Sequence, residues 1–235
     1  MNHQADNDFW FDCWKNNNLG FNQETPNATL IKYFSTLSLP KRSRVFVPLC
    51  GKSIDMIWLL EQNMEVVGVE LSPLAIQAFF EENRLLYSKK PLGPFNLWEA
   101  QEKPITILEG DIFLLDSSNI EEFNFLKKSP FHFIYDRASL IALPYETRIN
   151  YYNLYKKLMN HKSKALLLTI EYNSSDFKAP PFSVPEEEVI NSLENEFEVN
   201  LLKHEKVKTL SPRFLESGLE EVSQKAYKIE KLKQI

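Results

Sequence analysis

The sequence predicts an α/β fold: a doubly wound, mostly parallel, Rossmann-like sheet of seven strands, with an antiparallel C-terminal edge and an added N-terminal helix. Three observations carry this. Short β-branched runs alternate with stretches of helical periodicity through residues 44–170. The clearest helix start, Ser72-Pro73, directly follows an apolar run and supplies an N-cap and a proline at the first helical position. The 235 residues, 43% hydrophobic and 25% charged, suit one globular domain spanning residues 1–235 rather than a disordered or fibrous chain.

Phe9, Trp10, Cys13 and Trp14 share one helical face, and the turn formers of residues 16–20 end that segment. Residues 1–40 then form a helical cover outside the main pattern. The run Val45-Phe46-Val47 reads as a strand, followed by the tight loop Pro48-Leu49-Cys50-Gly51-Lys52-Ser53 and a helix over residues 54–62. Residues 65–71 form a buried parallel strand, and the next helix runs to about Leu86. Pro91, Pro94 and Pro104 mark residues 88–104 as an excursion before residues 105–108 resume the sheet and end at Gly110-Asp111. A strand over residues 131–135 ends at Asp136-Arg137; Tyr151, Leu154, Tyr155 and Leu158 mark a helix, and residues 165–170 an apolar strand. After a helix over residues 185–195, strands at residues 204–210 and 225–232, joined through residues 212–218, form a terminal hairpin. Strands that alternate with helices imply right-handed crossovers and hence parallel pairing.

Composition excludes several functions. The net charge is −5, 27 Lys and Arg against 32 Asp and Glu, with lysines interspersed among acids, so no footprint for nucleic acid or an anionic membrane exists. Apolar stretches fall far short of the ~20 residues that cross a bilayer. Two cysteines and a polar start without a signal-peptide profile point to the cytoplasm. His3, His132, His161 and His204 stand singly, so no metal site is expected. Lys127-Lys128 and Lys156-Lys157 read as solvated faces.

In an open wound sheet, ligands bind beyond the carboxyl ends of the strands. Those ends carry the Leu49-Cys50-Gly51 loop, Glu70, Asp111 and Asp136-Arg137, which sets three acids on one rim. Glu70 follows the first loop by about 20 residues, the separation at which a carboxylate accepts both ribose hydroxyls of a nucleoside. The string Gly51-Lys52-Ser53 is not a phosphate loop, because that motif needs glycine where this chain has Phe46. Without a Gly-x-Gly-x-x-Gly cradle, a phosphate-free adenosyl group fits better than a dinucleotide. Trp10 and Trp14 either pack an appended helix or set an aromatic face over a nucleoside or sulfonium. Cys50 has no histidine near it in sequence, so its role is packing in a tight loop rather than nucleophilic attack. The Ser/Pro-rich residues 173–185 emerge on the ligand rim as either a lid or a surface loop.

Six ordered motifs carry a resemblance: Trp10-Phe11-Asp12-Cys13-Trp14, Gly20-Phe21-Asn22-Gln23, Val45 through Ser53, Gly68-Val69-Glu70-Leu71-Ser72, Gly110-Asp111-Ile112-Phe113, and Tyr135 through Pro144. Together with Pro180-Pro181-Phe182-Ser183-Val184, they resemble the thiopurine S-methyltransferase family, its bacterial members most of all. The resemblance implies a class I methyltransferase fold and S-adenosyl-L-methionine as cofactor. It sets Trp14, Leu49, Glu70, Asp111, Ile112 and Arg137 around that cofactor and Phe21 near the acceptor. The ribose falls to Glu70, the methionine part to the Leu49 loop and the adenine to Asp111 and Ile112. The chain departs from the family at Asn22, where Gly-Phe-His-Gln is usual; Asn22 cannot titrate near neutrality, which argues against a required base there.

The reaction this implies is in-line transfer of a methyl group to a thiopurine or similar aromatic thiol, by alignment and water exclusion, without metal or covalent intermediate. No catalytic residue is assigned; Arg137 is a candidate for stabilising an anionic sulfur. A monomer acting on a small-molecule thiol is expected. Selenium or tellurium species are an alternative acceptor, since a polarisable chalcogen suits the same geometry. An inactive adenosyl-ligand sensor and a nicotinamide-dependent oxidoreductase are the readings from other classes; the missing glycine fingerprint weighs against the latter.

Overall fold

A computed structural model describes residues 3–115, 131–173, 177 and 180–232, with side chains from residue 7 onward. The chain divides into two compact units, Met1–Phe131 and His132–Ile235. Lys127 and Lys128 lie outside the described residues.

The first unit holds α1 (His3–Lys15), α2 (Ala28–Phe34), β1 (Arg44–Val47), α3 (Asp55–Glu61), β2 (Glu65–Glu70), α4 (Pro73–Glu82), β3 (Tyr87–Leu92), β4 (Phe95–Ala100) and β5 (Ile105–Glu109). Its strands lie in the order β3-β4-β5-β2-β1. β1, β2 and β5 pair in parallel, with Val45 opposite Val66 and Gly68 opposite Ile107. The β-branched runs dictate this: Val45, Val66, Val69 and Ile107 are fully buried, as are Ile76, Phe79 and Phe80 of α4. Each such side chain contributes roughly 1.5–3 kcal/mol when taken out of water. Ser72 caps α4 by accepting the Ala75 N–H at 3.4 Å, with Pro73 next in the chain.

Two expectations are corrected here. The excursion at residues 88–104 is an antiparallel hairpin: Leu92 lies opposite Phe95 across Gly93-Pro94, and Gly93 takes a φ of +56°. The prolines hid it, yet Pro91 sits in β3, which pairs with β4 alone and so can spare an N–H. The described residues therefore hold nine strands rather than seven, the hairpin supplying the two extra. Helix α4 ends at Glu82 rather than near Leu86, because the Asn83 side-chain amide donates to the Phe79 carbonyl at 2.8 Å and Arg84 turns to a φ of +54°.

The second unit holds β6 (Phe133–Arg137), α5 (Tyr145–Leu158), β7 (Lys164–Glu171), α6 (Glu186–Leu193), β8 (Phe197–Lys206), α7 (Pro212–Glu216) and β9 (Ser223–Lys231). Its strand order is β6-β7-β9-β8, parallel between β6 and β7 and antiparallel thereafter, which gives the expected C-terminal antiparallel edge. β8 starts seven residues earlier than residue 204 and ends at Lys206; as an edge strand with most residues solvated, and shifted in register at Leu201/Lys203, it shows little apolar alternation. Near the start of β9, Lys225, 6% exposed, donates to Glu171 at 2.5 Å and to Glu186 at 2.9 Å, tying the end of β7 to the start of α6.

No described helix is long and apolar enough to cross a membrane.

Candidate active site

In the first unit the carboxyl ends of β5, β2 and β1 lie side by side, and Glu70, the last residue of the middle strand, connects all three following loops. Its Oε2 accepts the Gly51 N–H at 2.8 Å, from the loop after β1, and its Oε1 accepts the Ser72 N–H at 2.8 Å, from the loop after β2. Its main-chain carbonyl accepts the Gly110 N–H at 2.9 Å, from the loop after β5. Residue 70 is 6% exposed. Burial pushes its carboxyl above the ordinary value, against the opposing pull of the Ser72, Gly51 and Leu71 N–H groups, which favour the charged form. A carboxylate offers about four lone-pair sites, so these backbone donors do not exhaust its acceptor capacity.

The loop after β1 is bent tightly. Leu49 takes a φ of +42° and Gly51 a φ of +53°, while the Cys50 N–H donates to the Val69 carbonyl at 2.9 Å. Positive φ at a leucine costs about 1–3 kcal/mol and persists only where surroundings enforce it. Gly68 leaves room for the bent loop, for a Cβ at that position would meet the Cys50 sulfur at 2.7 Å. Cys50 is itself buried; burial first, and then the neighbouring Glu70 charge, push its thiol well above the ordinary value, which leaves no thiolate for attack.

Helix α1 comes onto this loop. A Cβ on Gly51 would sit 3.1 Å from Cζ2 of Trp14, so the indole lies against bare backbone. Phe21 packs edge-on against both Trp10 and Trp14, with ring centroids 5.6 Å apart in each pair. Trp14 is buried, and it is buried on the Gly51 loop. Asn27, where the cover returns to the sheet, donates its N–H to the buried Asp55 carboxylate at 2.7 Å. Asn22 is half-buried and its N–H donates to the Leu19 carbonyl at 2.8 Å.

After β5, half-buried Asp111 caps a 3₁₀ turn (Ile112–Leu114), accepting the Phe113 N–H at 2.9 Å, and Ile112 is 2% exposed. Trp14, Phe21, Leu49, Glu70, Asp111 and Ile112 therefore all belong to the first unit. Arg137 belongs to the second, half-buried at the end of β6 and followed by Ala138 at a φ of +64°.

Asp136 is not a rim acid. It is fully buried, and its Oδ2 accepts the Tyr151 hydroxyl at 2.6 Å and the Tyr155 hydroxyl at 3.0 Å, both from α5. Burial pushes its carboxyl up and, with the Asp136 charge, pushes both phenols well above their ordinary values. Strand alternation was the missing signal: Arg137 and Asp136 point to opposite faces, so only one of them can meet solvent at the strand end. Sequence reasoning also missed Glu109, which gathers three donors from the β3–β4 hairpin and could be found only once that hairpin's register was known. Of residues 173–185, residues 174–176 and 178–179 lie outside the described residues, and Phe182 donates its N–H to the Ile141 carbonyl at 2.7 Å. Among the described residues, no group of three His, Cys, Asp or Glu side chains could hold a metal ion.

A phosphate-free adenosyl group suits this donor set: one carboxylate with spare acceptor capacity, two bent backbone loops without a phosphate cradle, and an aromatic face. The family profile described as Thiopurine S-methyltransferase matches residues 5–232. A Thiopurine S-methyltransferase of Shewanella pealeana is 37% identical over 221 residues, covering 94% of this chain and 96% of that protein. One of Pseudomonas aeruginosa is 36% identical over 224 residues, covering 95% and 98%. Among solved structures, the Burkholderia thailandensis 1,6-didemethyltoxoflavin-N1-methyltransferase with bound S-adenosylhomocysteine superposes with a TM-score of 0.63 at 13% identity, covering 98% of this chain and 89% of that one. The arsenic(III) S-adenosylmethionine methyltransferase of Chlamydomonas reinhardtii gives 0.60 at 12% identity, covering 88% and 75%, a likeness of fold alone.

Proposed function

The chain belongs to the thiopurine S-methyltransferase family and uses S-adenosyl-L-methionine, and from that premise we propose that it methylates the sulfur of thiopurines or similar aromatic thiols. The observation that carries the reading is the Glu70 hub, one carboxylate that fixes the loops after β1 and β2 while keeping acceptor capacity for a ribose.

In this reading Glu70 takes the two ribose hydroxyls, the Leu49 loop holds the methionine portion, Trp14 covers the sulfonium side, and Asp111 and Ile112 frame the adenine. Phe21, wedged against Trp14, lines the acceptor side. The bound cofactor supplies an electrophilic methyl group on a positively charged sulfur. What the chain supplies is alignment and dryness: the rings of Trp10, Trp14 and Phe21 exclude water and attract positive charge. An aromatic thiol ionises readily, so no strong base is called for. Cys50, buried and held as a thiol, forms no covalent intermediate. The protein acts as a monomer in this reading.

The test is calorimetric titration of wild type and Glu70→Ala with S-adenosyl-L-methionine, then methyl transfer to 6-mercaptopurine, selenite and tellurite in the same preparation. Binding and thiopurine turnover, both weakened in Glu70→Ala, are expected. Turnover of selenite or tellurite alone moves the assignment to chalcogen oxyanions, and cofactor binding without any turnover makes the protein an adenosyl-ligand sensor.

A further inference from the structure

We infer that Glu109 is a positioning residue for base recognition, its carboxylate pinning the β3–β4 hairpin beneath the Gly110-Asp111 turn and so fixing the edge that reads adenine. The inference rests on the adenosyl-binding function proposed above.

Glu109 ends β5 directly beside Glu70, the last residue of β2. Its Oε2 accepts the Trp98 indole N–H at 2.6 Å and the Lys89 ammonium at 2.7 Å, and its Oε1 accepts the Asn96 amide at 3.1 Å. All three donors come from the hairpin, and Lys89 also lies 4.6 Å from the centre of the Trp98 ring. Burial works against the charge, but Lys89, Trp98 and Asn96 outweigh it and hold the carboxyl below its ordinary value, so it is ionised at neutral pH.

The next residue is gripped as well. A Cβ on Gly110 would meet the ring of Phe95 at 2.5 Å, and Phe95, 3% exposed, is the first residue of β4. On its other side the Gly110 N–H donates to Glu70. Gly110 is thus held between the hairpin and the hub, and Asp111 and Ile112 leave it with little freedom of their own. A carboxylate placed beside an exocyclic amine accepts its hydrogens and rejects a carbonyl at the same site, so discrimination depends on where residue 111 is held. Three charge-assisted or indole hydrogen bonds on one partly buried carboxylate exceed what a solvated strand end needs.

The probes are S-adenosyl-L-homocysteine and S-inosyl-L-homocysteine, titrated into wild type, Glu109→Ala and Glu109→Gln, with kcat measured at saturating cofactor. The preference for the adenine ligand is expected to fall roughly three- to thirtyfold in Glu109→Ala. It should recover in part in Glu109→Gln, whose single amide oxygen can still accept from the Trp98 indole, while kcat changes by less than about twofold. If Glu109→Ala does not fold, Asn96→Ala and Lys89→Met each remove one donor and should each reduce the preference. A preference unchanged in every folded variant overturns the inference and leaves the proposed function standing. Failure of the wild type to bind S-adenosyl-L-homocysteine overturns both.

Discussion

Trp14 lies against Gly51 so closely that a methyl group on the glycine would stand 3.1 Å from the indole. The contact joins the N-terminal helix to the loop whose N–H meets Glu70, so the helix, the loop and the carboxylate form one unit of structure.

Gly51→Ala should disturb that unit twice over. The φ of +53° disfavours any side chain by roughly 1 kcal/mol, and the indole must shift to admit the methyl. Stability is expected to fall by about 1–2 kcal/mol in urea unfolding, and S-adenosyl-L-methionine affinity by about tenfold in calorimetry. Unchanged affinity would detach Trp14 from the site.

Glu70 should give a measurable pH signature. Its folded-state carboxyl is pushed up by burial, so as pH rises from the ordinary carboxyl value through the raised one, the unfolded chain ionises first. Stability from this group therefore declines across that window and levels off above it. Subtracting the Glu70→Gln stability profile from that of wild type isolates the slope from Asp136, which shifts in the same direction. Glu70→Ala, which strips two buried N–H groups of their partner, is expected to cost about 2–4 kcal/mol.

Asp136 should behave as a structural acid. Asp136→Ala takes the carboxylate acceptor from the Tyr151 and Tyr155 hydroxyls in the interior, an expected loss of about 2–4 kcal/mol by chemical denaturation. Tyr151→Phe, which leaves the carboxylate the Tyr155 hydroxyl and the Leu140 N–H, should cost about 1 kcal/mol. Near-wild-type stability in Asp136→Ala would contradict the network.

Cys50 should resist alkylation. Burial and the Glu70 charge keep it a thiol, so a thiol reagent at neutral pH is expected to modify it at the rate of unfolding and not before. Rapid modification of Cys50 in the native protein, read by mass spectrometry, would mean that its loop opens.

Much of the site was legible along the chain. Glu70 could be placed from an apolar run that ends in an acid, because a buried parallel strand shows itself as a continuous β-branched stretch and its last residue faces the rim. Ser72-Pro73 was equally plain, since capping chemistry is local. Asp136 was misread because which face a strand residue takes depends on neighbours far off in sequence, here Tyr151 and Tyr155. The β3–β4 hairpin was misread because its prolines signal a break, and only pairing on one side makes Pro91 tolerable.

The sequence by itself determined the alternating α/β class, the strand end at which Glu70 stands and the family to which the chain belongs. These follow from periodicity, capping residues and motif spacing, all set within a few turns of chain. Tertiary structure alone decided that Gly51, Ser72 and Gly110 converge on Glu70, that Trp14 seals the first of those loops, and that Glu109 gathers the hairpin. Gly51 and Glu70 stand 19 residues apart and Trp98 and Glu109 stand 11 apart, and such pairs meet only when strand order and register bring them together.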